Sequence, residues 1–410
     1  MNHRISGLTV RNFRTLTDTK LPLGPLTVMV GPNAAGKSNV LQAIEFLRDV
    51  SGRGIERALD ARGGFDVLAF RGGRKPVSRI TVGIEGVWSD FASEAAPDRY
   101  ELSVSRARLP EGSRERYSMF RREHFTAHPV RDTETAVQLG GSSLLVLSPL
   151  GDEDGAGGTG VGRMASALHQ EVLLPMPEGS PSAGAVAAFR RHLSEIRVFD
   201  PDVRAARRPS PISTSGRHLA EDASNLADFL KALRDVRDGE GRRVVWEALL
   251  NDVREVVPQL HDIHIVPAPG RPDYLSVELE ETGLRGRTRL QDASFGTVRI
   301  LCLLAIFHDP DPPVLTCIEE IDHGIHPHAL ERLAGRLRAA SRRAQFLVTT
   351  HSPVFVDELK PEEFVVCERR SNGASVIPAL TADEVRQARE ASEGMPLGEL
   401  WFANTLGGGL

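Results

Sequence analysis

The residues with most to offer chemically are Gly31-Pro32-Asn33-Ala34-Ala35-Gly36-Lys37-Ser38, a G-x-x-x-x-G-K-S pattern. In such a loop the glycines let successive backbone N–H groups converge on one concavity, which suits a phosphate chain. A helix starting where the loop ends adds its partial positive charge. Lys37 would bridge the β- and γ-phosphates of a nucleotide, and the Ser38 hydroxyl would ligate Mg²⁺. Asn33, Ala34, Ala35, Gly36 and Asn39 would serve as binding residues of the same loop and first helical turn. Carboxylates and an imidazole stand at the ends of other apolar runs. Glu319-Glu320 follows Val314-Leu315-Thr316-Cys317-Ile318. Glu319 would hold the cation through its water shell and Glu320 would polarise an attacking water. The plain alternative is a solvated acidic pair at a helix start. His351 follows Phe346–Thr350 and could meet a γ-phosphate or the attacking water; a structural histidine is its plain alternative.

These residues need strands and helices to hold them. Leu26-Thr27-Val28-Met29-Val30 reads as a buried strand, and Val40, Ile44 and Leu47 then recur at helical spacing. In an open α/β sheet, ligand sites form at the carboxyl ends of strands. The Gly-rich loop, the paired glutamates and the histidine all follow strands, so folding can gather them round one phosphate. Strand patterns at Arg79–Trp88, Arg99–Arg106 and Arg116–Phe120 suggest an antiparallel region beside this layer. Gly151 to Gly160 reads as an acidic, Gly-rich linker and Arg204–Arg217 as a Pro/Ser/Arg-rich loop. Ala185–Ile196, Asn225–Arg237 and Arg242–Val257 read as helices, with strands at Ile263–Val266 and Tyr274–Leu279. Ser294-Phe295-Gly296-Thr297 opens a further helix. His326-Pro327 opens another, proline suiting a first turn. Phe364–Glu368 and Ala374–Ile377 pattern as a closing hairpin.

Composition bounds the function classes. The 410 residues carry a net charge of −5, so no global basic field announces nucleic acid. The longest apolar run, Ile300 to Phe307, falls far short of the ~18 residues that span a bilayer. No signal peptide is apparent after Met1. Cys302, Cys317 and Cys367 lie far apart in apolar runs, which predicts buried reduced thiols. The expectation is a cytoplasmic protein with no membrane partner.

The order of these motifs resembles an ABC-type ATPase head of the SMC, Rad50, RecF and OLD branch, and more closely the small AAA-15/AAA-21 bacterial ATPases. Leu8-Thr9-Val10-Arg11-Asn12-Phe13-Arg14 through Leu47 is similar to their N-terminal pattern. Leu219 to Ala227 resembles their "dGsNLa" element, Ile318 to Pro327 their "EEPENGLHP", and Thr349-Thr350-His351-Ser352-Pro353 their switch histidine. Leu397-Gly398-Glu399-Leu400-Trp401 is similar to their tail. The likeness is thin from about Ala92 to Ala185.

The resemblance implies a P-loop NTPase of the α/β class. Its mixed core sheet would be flanked by helices and joined by an antiparallel β subdomain and a mainly helical insertion. The lobes would be 1–90, 91–285 and 286–410. It also implies ATP and Mg²⁺, with two heads sandwiching two nucleotides. Ser294 and Gly296 would contact the partner's γ-phosphate, Arg14 would contact nucleotide in its own subunit, and Asp322 would link the two sites. A Q-loop-like role falls near Leu68–Arg71, where no glutamine stands. Phe295 occupies a place usually acidic or glycine, and Ile321 replaces a usual proline. Relatives act in DNA repair or antiphage defence, often beside a nuclease. No Toprim-like domain, zinc hook or coiled-coil arm is evident, so an effector would be a separate chain. DNA or a partner would bind through the 90–290 region. Two functions therefore stand: a hydrolysing dimeric switch, or a nucleotide-gated scaffold with little hydrolysis. A transport ATPase fits less well.

Overall fold

The computed structural model describes residues 4–73, 75–88, 92–108, 117–127, 135–140, 143–147, 159–160, 181–213 and 218–407. Its centre is a parallel sheet in the order Ile196–Phe199, Leu315–Ile318, Gln345–Thr350, Leu26–Val30, Phe364–Val366. The three middle strands are buried along their whole length. Continuous apolar runs are what a parallel sheet covered on both faces demands.

Alternation along those strands divides the interior. Val28, Val30, Ile318, Phe346 and Val348 point into one apolar cluster, shared with helices Phe295–Phe307 and Pro327–Ala340. Met29, Cys317, Leu347 and Val365 point into the other, with Val40, Ile44 and Leu47 of helix Lys37–Arg53. The helix after the Gly-rich loop and the helix after Ser294 thus lie on opposite faces of the core.

The second cluster is closed by an antiparallel sheet that includes Arg4–Arg11, Thr19–Pro22, Arg79–Val87, Asp98–Arg108 and Tyr117–Ala127. Gln345 stitches the sheets together. Its Nε2 donates to the Ile5 and Gly24 carbonyls at 2.6 and 2.9 Å, and its Oε1 accepts from the Ile5 N–H at 3.0 Å. A smaller antiparallel sheet, built on Leu260–Ala268 and Arg271–Glu281, caps the first cluster with helices Leu226–Asp235 and Val244–Val256.

The expected α/β fold with parallel and antiparallel pairing is present, the parallel pairs in the central sheet and the antiparallel pairs in the sheets beside it. The middle span 91–285, expected as an antiparallel and helical insertion, holds strands and helices among its described residues and also supplies the Ile196–Phe199 core strand. Phe364–Val366 is a core edge strand beside Leu26–Val30, and only Glu368–Arg369 pairs with Ser375–Val376 as a hairpin. Arg204–Arg217 contains a helical turn, Val203–Ala206, and a short strand, Ser210–Pro211; residues 214–217 lie outside the described residues. So does the expected Gly-rich linker up to residue 158, while Thr159–Gly160 pairs as a strand.

Candidate phosphate-binding site

The site begins where Leu26–Val30 ends. The chain turns through the Gly-rich loop and enters helix Lys37–Arg53 with Gly36 at its N-cap, φ 109°. That left-handed geometry favours glycine. A Cβ there would also lie 2.3 Å from Ser375 Oγ, so no other residue fits without displacement. Thr15 supports the turn: its hydroxyl accepts from Asn39 Nδ2 at 2.6 Å and from Ser375 Oγ at 2.7 Å.

Loop and strand ends line a cleft of about 320 Å³ formed by Asn33, Ala34, Gly36, Lys37, Ser38, Asn39, Glu319, Glu320, Thr349, His351 and Arg369. Lys37 Nζ donates to the carbonyls of Gly31 and Pro32 at 2.8 and 3.1 Å, so the ammonium is held over the loop. Burial lowers its pKa, and Glu320, Asp322 and Glu319 oppose that shift. The Ser38 hydroxyl donates to Glu319 Oε1, bridging helix start and carboxylate strand. A hydroxyl and a carboxylate in contact form a hard-oxygen pair, which suits Mg²⁺.

Glu320 sits just beyond strand Leu315–Ile318 with φ 46°. Adjacent strand residues face opposite sides, and this left-handed turn lets both glutamates reach one cleft. Its backbone is pinned on two sides. The N–H donates to Thr349 Oγ1 at 2.8 Å, and the carbonyl accepts from Arg299 Nη2 at 2.9 Å. Arg299 also donates to the carbonyls of Glu319 (3.0 Å) and Pro201 (3.2 Å) while only 1% exposed. Asp322 continues the network. Its Oδ1 accepts from the Thr350 hydroxyl at 2.7 Å and from the His351 N–H at 3.2 Å. His351 has its pKa lowered by burial first and the Lys37 ammonium second, against Asp322 and Glu320.

Most predicted residues meet here, and some do not. Ala35 is fully buried in the core and can offer the cleft only its backbone. Arg14 is absent from the cleft lining; its φ is 51°, its buried Nε has no hydrogen-bond partner, and burial beside Arg62 and Arg71 lowers its pKa. Ser294 and Gly296 also lie outside the cleft. Ser294 caps helix Phe295–Phe307, its Oγ accepting from the Thr297 N–H at 3.1 Å. That helix start packs on the turn after Glu320: a Cβ on Gly324 would lie 2.5 Å from the Phe295 ring, which faces His323 at 5.3 Å. Phe295 thus takes up a contact made possible by glycine opposite.

Arg299, Thr349 and Arg369 were not singled out from sequence. Arg369 Nη1 donates to the Ala34 carbonyl at 2.9 Å across 335 residues. Nothing local marks it. Arg299 carried a signal, being a cation inside the otherwise apolar run Val298–Phe307.

Residues 188–357 match the model described as "AAA domain, putative AbiEii toxin, Type IV TA system", and residues 4–74 match "AAA ATPase domain". An OLD nuclease of Thermus scotoductus is 60% identical over 40 residues, 10% of this chain and 8% of its own length. RecF of Magnetococcus marinus is 45% identical over 56 residues, 13% of this chain and 14% of its own. Chromosome partition protein Smc of Methylococcus capsulatus is 29% identical over 261 residues, 60% of this chain and 20% of its own. The matches thus span a fifth or less of those relatives.

In its matched stretches and in its fold the chain is similar to the ATPase heads of SMC, RecF and OLD proteins.

The fold agrees. A solved Smc head bound to the C-terminal winged-helix domain of ScpA has a TM-score of 0.55 at 16% identity, covering 93% of this chain and 99% of its own. The Pyrococcus furiosus Smc head bound to ScpA's C-terminal domain gives 0.55 at 16%, covering 95% and 100%. No described helix is long and apolar enough to cross a membrane.

Proposed function

We propose that the chain is an ATP-hydrolysing switch that acts as a homodimer with composite nucleotide sites. The observation that carries this reading is the sorting of its motifs. Lys37, Ser38, Glu319, Glu320 and His351 line one cleft, whereas Ser294 and Gly296 open a helix rooted in the opposite face of the core. A helix N-terminus capped by serine suits an anion, and a second subunit would supply that anion.

In this reading the loop N–H groups and Lys37 bind and orient the β- and γ-phosphates. Ser38 and Glu319 would hold Mg²⁺, which neutralises phosphate charge when bound. The carboxylate of Glu320 accepts a hydrogen bond from the attacking water and takes its proton as the oxygen bonds to the γ-phosphorus, while the bond from that phosphorus to the β,γ-bridging oxygen breaks and ADP leaves. His351 contributes a ring N–H at the γ-phosphate end. Asp322 fixes that histidine's backbone and carries contact across the dimer.

Phosphate release from ATP, with Mg²⁺ and with EDTA, tests the chemistry. Wild type should release phosphate only with Mg²⁺. Glu320→Gln should bind ATP, release almost none and accumulate ATP-bound dimers. No metal-dependent release by wild type would leave the scaffold reading, with ATP setting assembly state alone.

The switch would gate a separate-chain effector or a DNA-associated step in repair or defence. The support is indirect: relatives named for OLD nuclease and RecF activities, and an Smc head solved with ScpA. Arg207, one of the candidate DNA contacts, is committed to the Ala293 carbonyl, which leaves exposed Arg204 and Arg208 to meet phosphate. Salt-dependent DNA retention, with and without ATP, checks this; none at low salt rules direct binding out.

A further inference from the structure

We propose that Asp262, His264 and Glu280 form a binding site for a transition-metal dication of the zinc type, separate from the phosphate cleft. Asp262 and His264 lie on strand Leu260–Ala268, and Glu280 lies on its antiparallel neighbour Arg271–Glu281. Their side chains share a face because strand residues alternate. Ile263, Ile265, Val277 and Leu279 on the other face are buried in the core, so this face turns outward.

The register brings the three together. Leu260 pairs with Glu281 but Asp262 pairs with Glu280, so His261 is an extra residue in the first strand. Such a bulge re-aims the side chains that follow. Here it sets Asp262 directly opposite Glu280 and His264, which pairs with Glu278, diagonal to it. The donor atoms converge. His264 Nε2 is 2.8 Å from Glu280 Oε2 and 3.9 Å from Asp262 Oδ2, and all three lie within 4.8 Å of one another. Ligands about 2.0–2.2 Å from a four-coordinate ion sit roughly 3.3–3.6 Å apart. The observed spacings bracket that value, and a half-exposed Glu280 needs only a small shift to meet it.

The donor set selects the ion. One imidazole with two carboxylates is borderline N/O ligation, suited to Zn²⁺, Mn²⁺ or Co²⁺. Thiolate-seeking ions are disfavoured, since the cysteines are buried elsewhere. Two carboxylates balance the dication, and water can complete the shell. Arg287, opposite Glu280 on the next strand, does not compete directly: its Nη1 turns to Glu278 Oε2 at 3.4 Å. Among the described residues this is the group of His and acidic side chains with ligating spacing. A bound ion would clamp the two strands, and through Arg287–Arg289 it would brace the segment that leads to Ser294.

The test is calorimetric titration of the chelator-treated full chain with ZnCl₂. It is run in excess Mg²⁺ and repeated in Glu319→Gln, to separate this site from the phosphate cleft. We expect one equivalent bound in both backgrounds, with affinity lowered at least about tenfold in His264→Ala and in Glu280→Gln. Cobalt substitution should give visible bands that vanish in His264→Ala. Circular dichroism checks that the variants fold, as expected for outward-facing residues. No uptake by wild type, or uptake that both substitutions leave unchanged, overturns the site and reduces the cluster to a surface ion pair.

Discussion

At the scale of single residues, His351 gives the sharpest electrostatic expectation. Burial is the larger cause of its lowered pKa and Lys37 the next. In the nucleotide-free protein its ring should titrate below the ordinary 6.5 by NMR. Lys37→Met should raise that value without restoring it fully; an unchanged value would remove Lys37 as a cause. The linkage has a definite sign. As pH falls below about 6.5 the unfolded chain takes up this proton before the folded one, so this residue's contribution to stability declines with acidification, down to the folded pKa. Gly36 gives a steric expectation. Gly36→Ala, at φ 109° and 2.3 Å from Ser375 Oγ, should cost about 1–3 kcal/mol in thermal unfolding and weaken ATP binding. The residues easiest to recognise were those whose chemistry is unusual in its place, such as Lys37 in an arginine-rich chain. Arg369 was invisible because its contact with Ala34 exists only once Phe364–Val366 is laid beside Leu26–Val30.

Among elements, helix Phe295–Phe307 does more than present its N-terminus. Arg299 reaches from it to the carbonyls of both glutamates, so movement at Ser294 is coupled mechanically to the turn that aims Glu320. Arg299→Met should destabilise the fold by about 3 kcal/mol, since one buried and two part-buried carbonyls lose their donor. The milder Arg299→Lys should keep ATP affinity while lowering kcat. A loss confined to affinity would contradict a positioning role. Thr349→Val removes the other pin and should cost about 1–2 kcal/mol with the same kinetic signature. Elements with strong local signals were read well: the buried strands at Leu26, Leu315 and Gln345, and helices opened by Ser294 and Pro327. Those whose identity depends on a distant partner were not. Phe364–Val366 patterns equally as half a hairpin, and Ile196–Phe199 is too short to show that it completes the parallel core.

For the whole molecule, the division of labour across the core sheet is the central feature. One face carries the helix that follows the Gly-rich loop and the other carries the helix that follows Ser294, and Ser294 and Gly296 stand outside the cleft that Lys37 lines. Ser294→Arg should, on the composite-site reading, leave ATP binding to the monomer intact while stopping phosphate release when both subunits carry it, and Lys37→Ala should abolish ATP binding. Mixing these two inactive variants tests the composite site most directly. One interface of the mixed dimer would join an intact Lys37 to an intact Ser294, so ATP hydrolysis should reappear, at up to about half the wild-type rate per dimer for the mixed species. Equal parts of both proteins with no recovered phosphate release, or full activity in Ser294→Arg alone, would contradict the account.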